Sequence, residues 1–241
     1  MQKKDSITHI MENLSAIILD MDGVLVDTEP IHLEAFRIFL EDQSLKYTEK
    51  YLKSFIGYSI EDNIHNIIRK YNLYSKLTPS LGIKQRDEIY FNLIQNNSLS
   101  PNKGVYELIN YCSRAKIDLA LASSSSYKQI NTILTKISKD QLNSINFFNV
   151  FSVITSGDEV KYKKPNPEIY ELTLSKLKKY PSECIAVEDS IAGIQSSMSA
   201  GLFTVGLSTP YVDTKMLKKS HWQVDSILDV VTLIYQIYDK F

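Results

Sequence analysis

Two hydrophobic periods alternate along the chain. Compact apolar runs occur at SAIIL (15–19), IDLALAS (117–123), the start of FSVITSGDE (151–159), CIAVED (184–189) and LFTVGLST (202–209), and they read as strands buried on both faces. Helical spacing of apolar residues separates them, in GVYELINYCSRAK (104–116), YKQINTILTKIS (127–138), NPEIYELTLSKLK (166–178), IAGIQSSMSAG (191–201) and a last helix, SILDVVTLIYQIYDKF (226–241). Gly201 is expected just past the end of its helix, where a left-handed residue closes the last turn. From Pro30 to Leu99 the strand pattern disappears. PIHLEAFRIFLED (30–42), SIEDNIHNIIRKYNL (59–73) and LGIKQRDEIYFNLIQNN (81–97) all carry the helical period, and SLSPN (98–102) punctuates.

Strand–helix alternation with short links implies an α/β fold, a doubly wound, Rossmann-like parallel sheet with helices on both faces. The expected organisation is a core of residues 1–28 and 100–241, with a helical cap domain, 29–99, inserted after the first strand. Residues 1–14 read as a polar lead-in.

Composition changes this picture little. The 241 residues carry a formal net charge of −1, which gives no bulk attraction for nucleic acid or an anionic membrane. The two cysteines, Cys112 and Cys184, lack metal-site spacing and read as reduced structural thiols. No secretory leader or membrane span is evident, so a cytoplasmic monomer acting on a small molecule is expected.

The chemistry lies at the strand ends, where sites form in parallel α/β sheets. Asp20 and Asp22 follow the first strand, Ser123 the second, Lys164 the third after a loop, and Glu188 and Asp189 the fourth. Clustered carboxylates repel unless a cation sits among them, and oxygen ligands with no His or Cys beside them select Mg²⁺. Such a site with a lysine and a hydroxyl suits a phosphoryl group. Asp20 could then be a nucleophile and Asp22 an acid and base.

Taken singly, each residue has a plainer reading. Asp-Gly favours turns, the Ser123–Ser126 run supplies helix N-caps, and Asp189 or Ser190 could cap the next helix. Lys164 is one of three lysines in KYKK, singled out because the following PNP sets the register, with Pro167 suited to a first helical turn.

Together the residues carry a resemblance. D-x-D-G-V-L-x-D-T-E, a strand-end serine, K-P-x-P and E-D-S-x-x-G-I are similar to the motifs of the haloacid dehalogenase superfamily, over residues 16 to about 208. The inserted helical block looks like the branch of β-phosphoglucomutase and small sugar-phosphate phosphatases. The resemblance implies Asp20 as nucleophile, Asp22 as acid/base, and Ser123 and Lys164 as holders of the phosphoryl group. It implies Mg²⁺ at the Asp20 side chain, the Asp22 carbonyl and Asp189, with Glu188 adjacent or ligating. Gly23, Ser124 and Asn166 fall in the phosphate-binding motifs, and Asp27 and Thr28 are expected as the hinge. The superfamily's dehalogenases lack the second aspartate and its transport ATPases carry Thr there, so Asp22 points to a phosphatase or phosphomutase.

In the cap, IGYSIED (56–62) resembles the branch's substrate-specificity loop. His32 and Arg86 match positions that can face substrate and phosphate, against the plainer readings of an ordinary helix histidine and an exposed helix charge. β-Phosphoglucomutase has an Arg where this chain has Ile60, and Lys-Asn where it has Ser126 and Tyr127. Two contacts to a distal phosphate are thereby lost. The expectation is a Mg²⁺-dependent phosphatase of a sugar or polyol monophosphate working through an aspartyl-phosphate, with a β-phosphoglucomutase-type mutase as the alternative. A receiver-like signalling protein or a non-catalytic binding protein are minor ones.

Overall fold

The computed structural model describes residues 13–139, 145–212 and 214–238. Most of the expected lead-in over 1–14, and the end of the helix expected over 226–241, lie outside them. The chain packs as two compact units, one running up to Asp27 and resuming at Leu99, the other spanning Thr28–Ser98.

The first unit is built on six parallel strands: β1 (Ala16–Leu19), β2 (Asp118–Ala122), β3 (Val153–Thr155), β4 (Cys184–Glu188), β5 (Phe203–Leu207) and β6 (Trp222–Val224). Their order in the sheet is β3-β2-β1-β4-β5-β6, the doubly wound arrangement with its switch of direction beside β1. β1 pairs in register with both neighbours, Ile18 opposite Ala120 on one side and Ala186 on the other. All four of its residues are buried, which is why it reads as an unbroken apolar run instead of an alternating one. One face packs Ala16, Ile18, Ala120 and Ala186 against Ile169, Tyr170 and Leu174 of α8 (Glu168–Leu177). α5 (Val105–Ala115) and α11 (Ile227–Tyr238) run together elsewhere on this unit, with the Tyr111 and Tyr235 rings 4.6 Å apart.

Five strands match the apolar runs. The sixth, β6, was not expected: its three residues, WQV, are too few to show a period. The same holds for the short helix α7 (Phe147–Val150). α6 (Tyr127–Ser138) starts at Ser126, whose side chain and that of Gln129 cap each other's backbone N–H. α9 (Ile191–Ser199) starts at Ser190 and gives way to Gly201 at φ +81°, as its sequence required.

The second unit is all helix: α1 (Glu29–Asp42), α2 (Glu49–Lys53), α3 (Ile60–Tyr71) and α4 (Pro79–Asn96). α2 is an addition to the three expected helices, capped by Thr48 and tied to α1 by a bidentate Arg37–Glu49 pair at 2.8 and 3.2 Å. Phe36, Phe39, Leu40, Phe55, Ile64 and Ile67 form its core. In the first unit a short helix, α10 (Thr214–Leu217), precedes β6.

β1 is tightly packed, with Ile18 fully buried between two strands and a helix. Ile18→Ala is expected to cost about 2–5 kcal/mol in urea unfolding, through lost burial and the cavity left.

Candidate active site

β1 ends at Leu19, and the pairing with β4 runs one residue further through the Asp20 N–H to the Val187 carbonyl at 3.1 Å. Asp20 is therefore fixed by sheet hydrogen bonds. Beyond it the backbone curls at once: the Met21 carbonyl accepts from Leu25 and Val26, and Gly23 N–H donates to Val26 at 2.8 Å. Asn102 closes this loop from the returning chain, its Nδ2 donating to the carbonyls of Gly23 at 2.8 Å and Val24 at 3.0 Å. The Asp27 carboxylate accepts from Tyr211 at 3.1 Å. Thr28, the first residue of the helical unit, is buried and accepts from Ile31 and His32 N–H.

Lys164 lies in the loop before α8, where Glu168 accepts from Lys161 and Tyr162 N–H. Its ammonium donates to Asp20 Oδ1 at 2.5 Å, Glu188 Oε1 at 2.6 Å and the Ala122 carbonyl at 2.9 Å. Of the three lysines in KYKK it is thus the one drawn into the strand ends. Ser123 continues β2, donating its N–H to Thr155, and is buried; its Oγ accepts from Ser125 N–H. Ser125 in turn donates to Asp22 Oδ2 at 2.9 Å. Ser124 is half-buried between them. Asn166 is exposed, and its Oδ1 accepts from Glu168 N–H, starting α8.

Carboxylate oxygens of Asp20, Glu188 and Asp189 all lie within 4.8 Å of one another. Two glycines let the backbone press against them. A Cβ at Gly23 would sit 2.0 Å from Asp189 Oδ2, and one at Gly193 would sit 1.9 Å from Glu188 Oε2. Burial pushes Asp20 up to about 7, with Glu188 and Asp22 adding to the rise and Lys164 opposing it. Asp189 is raised well above the usual carboxylate range, by burial and then by Asp20, Glu188 and Asp22. Burial alone would lower Lys164, but Asp20 and Glu188 outweigh it and hold the ammonium charged. Several carboxylates crowd one ammonium, so the cluster fits a divalent cation: hard oxygen donors, close together, with uncompensated negative charge.

The strand-end residues Asp20, Asp22, Ser123, Lys164, Glu188 and Asp189 thus come together as their spacing predicted. Tyr170 was missed. It is fully buried under the cluster, and burial and Glu188 keep its phenol protonated, so it donates to Glu188 Oε1 at 2.5 Å. In sequence it is one more apolar position of α8, and its hydroxyl is the only signal it offers. His32 and Arg86 lie in the helical unit and touch each other: Arg86 Nη2 bonds His32 Nδ1. Arg86 is not an exposed helix charge, because it is wholly buried.

This geometry sits on a chain that belongs to the haloacid dehalogenase-like hydrolases, whose family model matches residues 17–207. Within that family it falls in the branch of sugar-phosphate phosphatases and β-phosphoglucomutase. It is 31% identical over 189 residues to the phosphorylated carbohydrates phosphatase of Thermotoga maritima, covering 78% of this chain and 82% of that one. To the β-phosphoglucomutase of Bacillus subtilis it is 26% identical over 200 residues, covering 80% and 83%. The crystal structure of β-phosphoglucomutase from Clostridium difficile superimposes with a TM-score of 0.71 at 26% identity, covering 95% and 100%. That of CbbY from Rhodobacter sphaeroides, in complex with phosphate, gives 0.76 at 24%, covering 90% and 96%, a likeness of fold.

The raised carboxylates set a sign for stability. Asp20 moves from 3.8 to about 7 on folding, so its contribution is fully present below pH 3.8 and is lost as pH rises through about 7. A bound cation offsets that loss. Mg²⁺ is expected to raise Tm more at about pH 8 than at about pH 5, by about 5–10 °C at a hundredfold excess over Kd, and Asp189→Asn to abolish most of the shift. An Mg²⁺ titration by scanning calorimetry checks this. Tyr170→Phe leaves Glu188 short of a buried donor and is expected to cost about 1–3 kcal/mol in denaturant unfolding.

Proposed function

We propose that this chain is a Mg²⁺-dependent phosphatase of a small phosphorylated metabolite, a sugar or polyol monophosphate, working through an aspartyl-phosphate. The observation that carries the reading is Asp20, rigid at the end of β1 with Lys164 on its carboxylate and Asp22 two residues on. The Thermotoga relative, by its name, acts on phosphorylated carbohydrates, which supports the substrate class.

The steps follow from the residues. Ser123 and Lys164 hold the phosphoryl oxygens. An oxygen of Asp20 attacks phosphorus, a bond forms between them, and the bond from phosphorus to the ester oxygen breaks. Asp22 gives its proton to the departing alkoxide, releasing the alcohol, and is left as a carboxylate. It then takes a proton from water, whose oxygen attacks phosphorus and releases inorganic phosphate and free Asp20. The hydrogen bond from Ser125 orients Asp22 for both transfers. The Asp20 side chain, the Asp22 carbonyl and Asp189, with Glu188 beside them, would hold Mg²⁺, which would supply positive charge to keep Asp20 ionised and offset the charge of the phosphoryl oxygens. In this reading residues 29–99 serve as a cap hinged at Asp27 and Thr28, whose closure would exclude bulk water.

Hydrolysis is favoured over mutation because a mutase must grip a second phosphate. Ser126 is used as the N-cap of α6, the Tyr127 N–H donates to Asp158 at 2.8 Å, and Ile60 is apolar. Similarity to β-phosphoglucomutases keeps isomerisation of β-glucose 1-phosphate as the second reading. Given that substrate with a trace of bisphosphate, the protein is expected to release free phosphate, and accumulation of glucose 6-phosphate decides for the mutase. In a metabolite screen with and without Mg²⁺, Asp20→Asn should abolish turnover and Asp22→Asn nearly so, both folded by circular dichroism. Retention of most activity by Asp20→Asn would sink the assignment.

A further inference from the structure

Arg86 is the largest wholly buried side chain among the described residues. A guanidinium out of water is costly unless its donors and its charge are matched, and here the match is partial. Nη1 donates to Asp87 at 3.1 Å and Nη2 to the His32 carbonyl at 3.4 Å, while Nε has no partner. The rings of Phe36 and Tyr90 lie 4.7 and 4.9 Å from its central carbon. A leucine or methionine would fill the same space without the desolvation cost, which directs attention to what the charge does.

What it touches is His32. Nη2 bonds His32 Nδ1, and the imidazole is stacked on Tyr90 at 4.3 Å and 18°. A guanidinium only donates, so Nδ1 can only accept. That requirement excludes a proton on Nδ1, and with it both the imidazolium and one of the two neutral tautomers.

We propose that Arg86 is a positioning residue that holds His32 as the neutral tautomer with its proton on Nε2. The ring is gripped at one nitrogen and stacked on one face, which fixes the direction of its Nε2–H. Asp87 and Glu29 act on the guanidinium, and the Tyr90 ring packs on the imidazole. If the phosphatase reading holds, His32 is then an uncharged donor whose state does not change with pH. The tautomer itself does not depend on that reading.

Long-range ¹H–¹⁵N spectra of the full labelled chain, titrated from about pH 8 to about pH 5.5, test it, with the exposed His65 as reference in the same spectrum. The His32 signals are expected to show a bare Nδ1 and a protonated Nε2 throughout. Arg86→Met removes the donor at similar volume and should give His32 a titration step, with Arg86→Lys restoring the bare Nδ1. A proton on Nδ1 of the wild-type protein, or titration to imidazolium across this range, overturns the proposal. Should Arg86→Met fail to fold, the wild-type and Arg86→Lys spectra decide alone. If a phosphatase substrate is found, the pH profile of kcat/KM for Arg86→Met should gain an acid limb near the ordinary histidine value, about 6.5. If none is found, the phosphatase reading fails while the spectra still decide on the tautomer.

Discussion

The site is organised by an imbalance of charge. Asp20, Glu188 and Asp189 hold their oxygens within 4.8 Å of one another, Asp22 adds its field, and Lys164 answers them with a single ammonium. Such a set cannot stay fully ionised by itself, and the rise of Asp20 and Asp189 expresses this. The surrounding structure serves to hold it together. β1 is bonded on both edges, so Asp20 cannot swing away, and the missing side chains at Gly23 and Gly193 let backbone close in on the carboxylates. Tyr170 from beneath binds the oxygen of Glu188 that Lys164 also binds.

Much of this was legible in the sequence because each carboxylate ends a strand or follows one directly. Burial on both faces removes alternation from the strands, so apolar runs could be counted, and the polar residue stopping each run marked its end. β6 escaped since three residues on a sheet edge carry neither length nor period. Tyr170 escaped for another reason. Its spacing is that of a core aromatic, and it is one; only the tertiary fold brings the Glu188 carboxylate to its hydroxyl. Asn102 and Ser125 are similar, each meeting its partner across long stretches of chain.

Arg86 shows the opposite difficulty. A charge on an amphipathic helix is ordinarily solvated, and sequence offers no way to tell the one that is not. Its burial is explained by neighbours from two helices, Phe36 and His32 on α1 and Tyr90 and Asp87 on α4, which meet only when the helical unit is packed.

The loop after β1 also bears on how such a protein is assembled. Val26 bridges Pro101, and Asn102 donates to the carbonyls of Gly23, Val24 and Leu25. The outgoing and returning strands of chain are therefore stitched side by side inside the first unit. To the sheet, the whole Thr28–Ser98 segment is one long hairpin whose ends already meet. The fold thus closes the first unit on itself before and after the inserted segment, so the strand ends that carry the site are fixed by contacts within that unit.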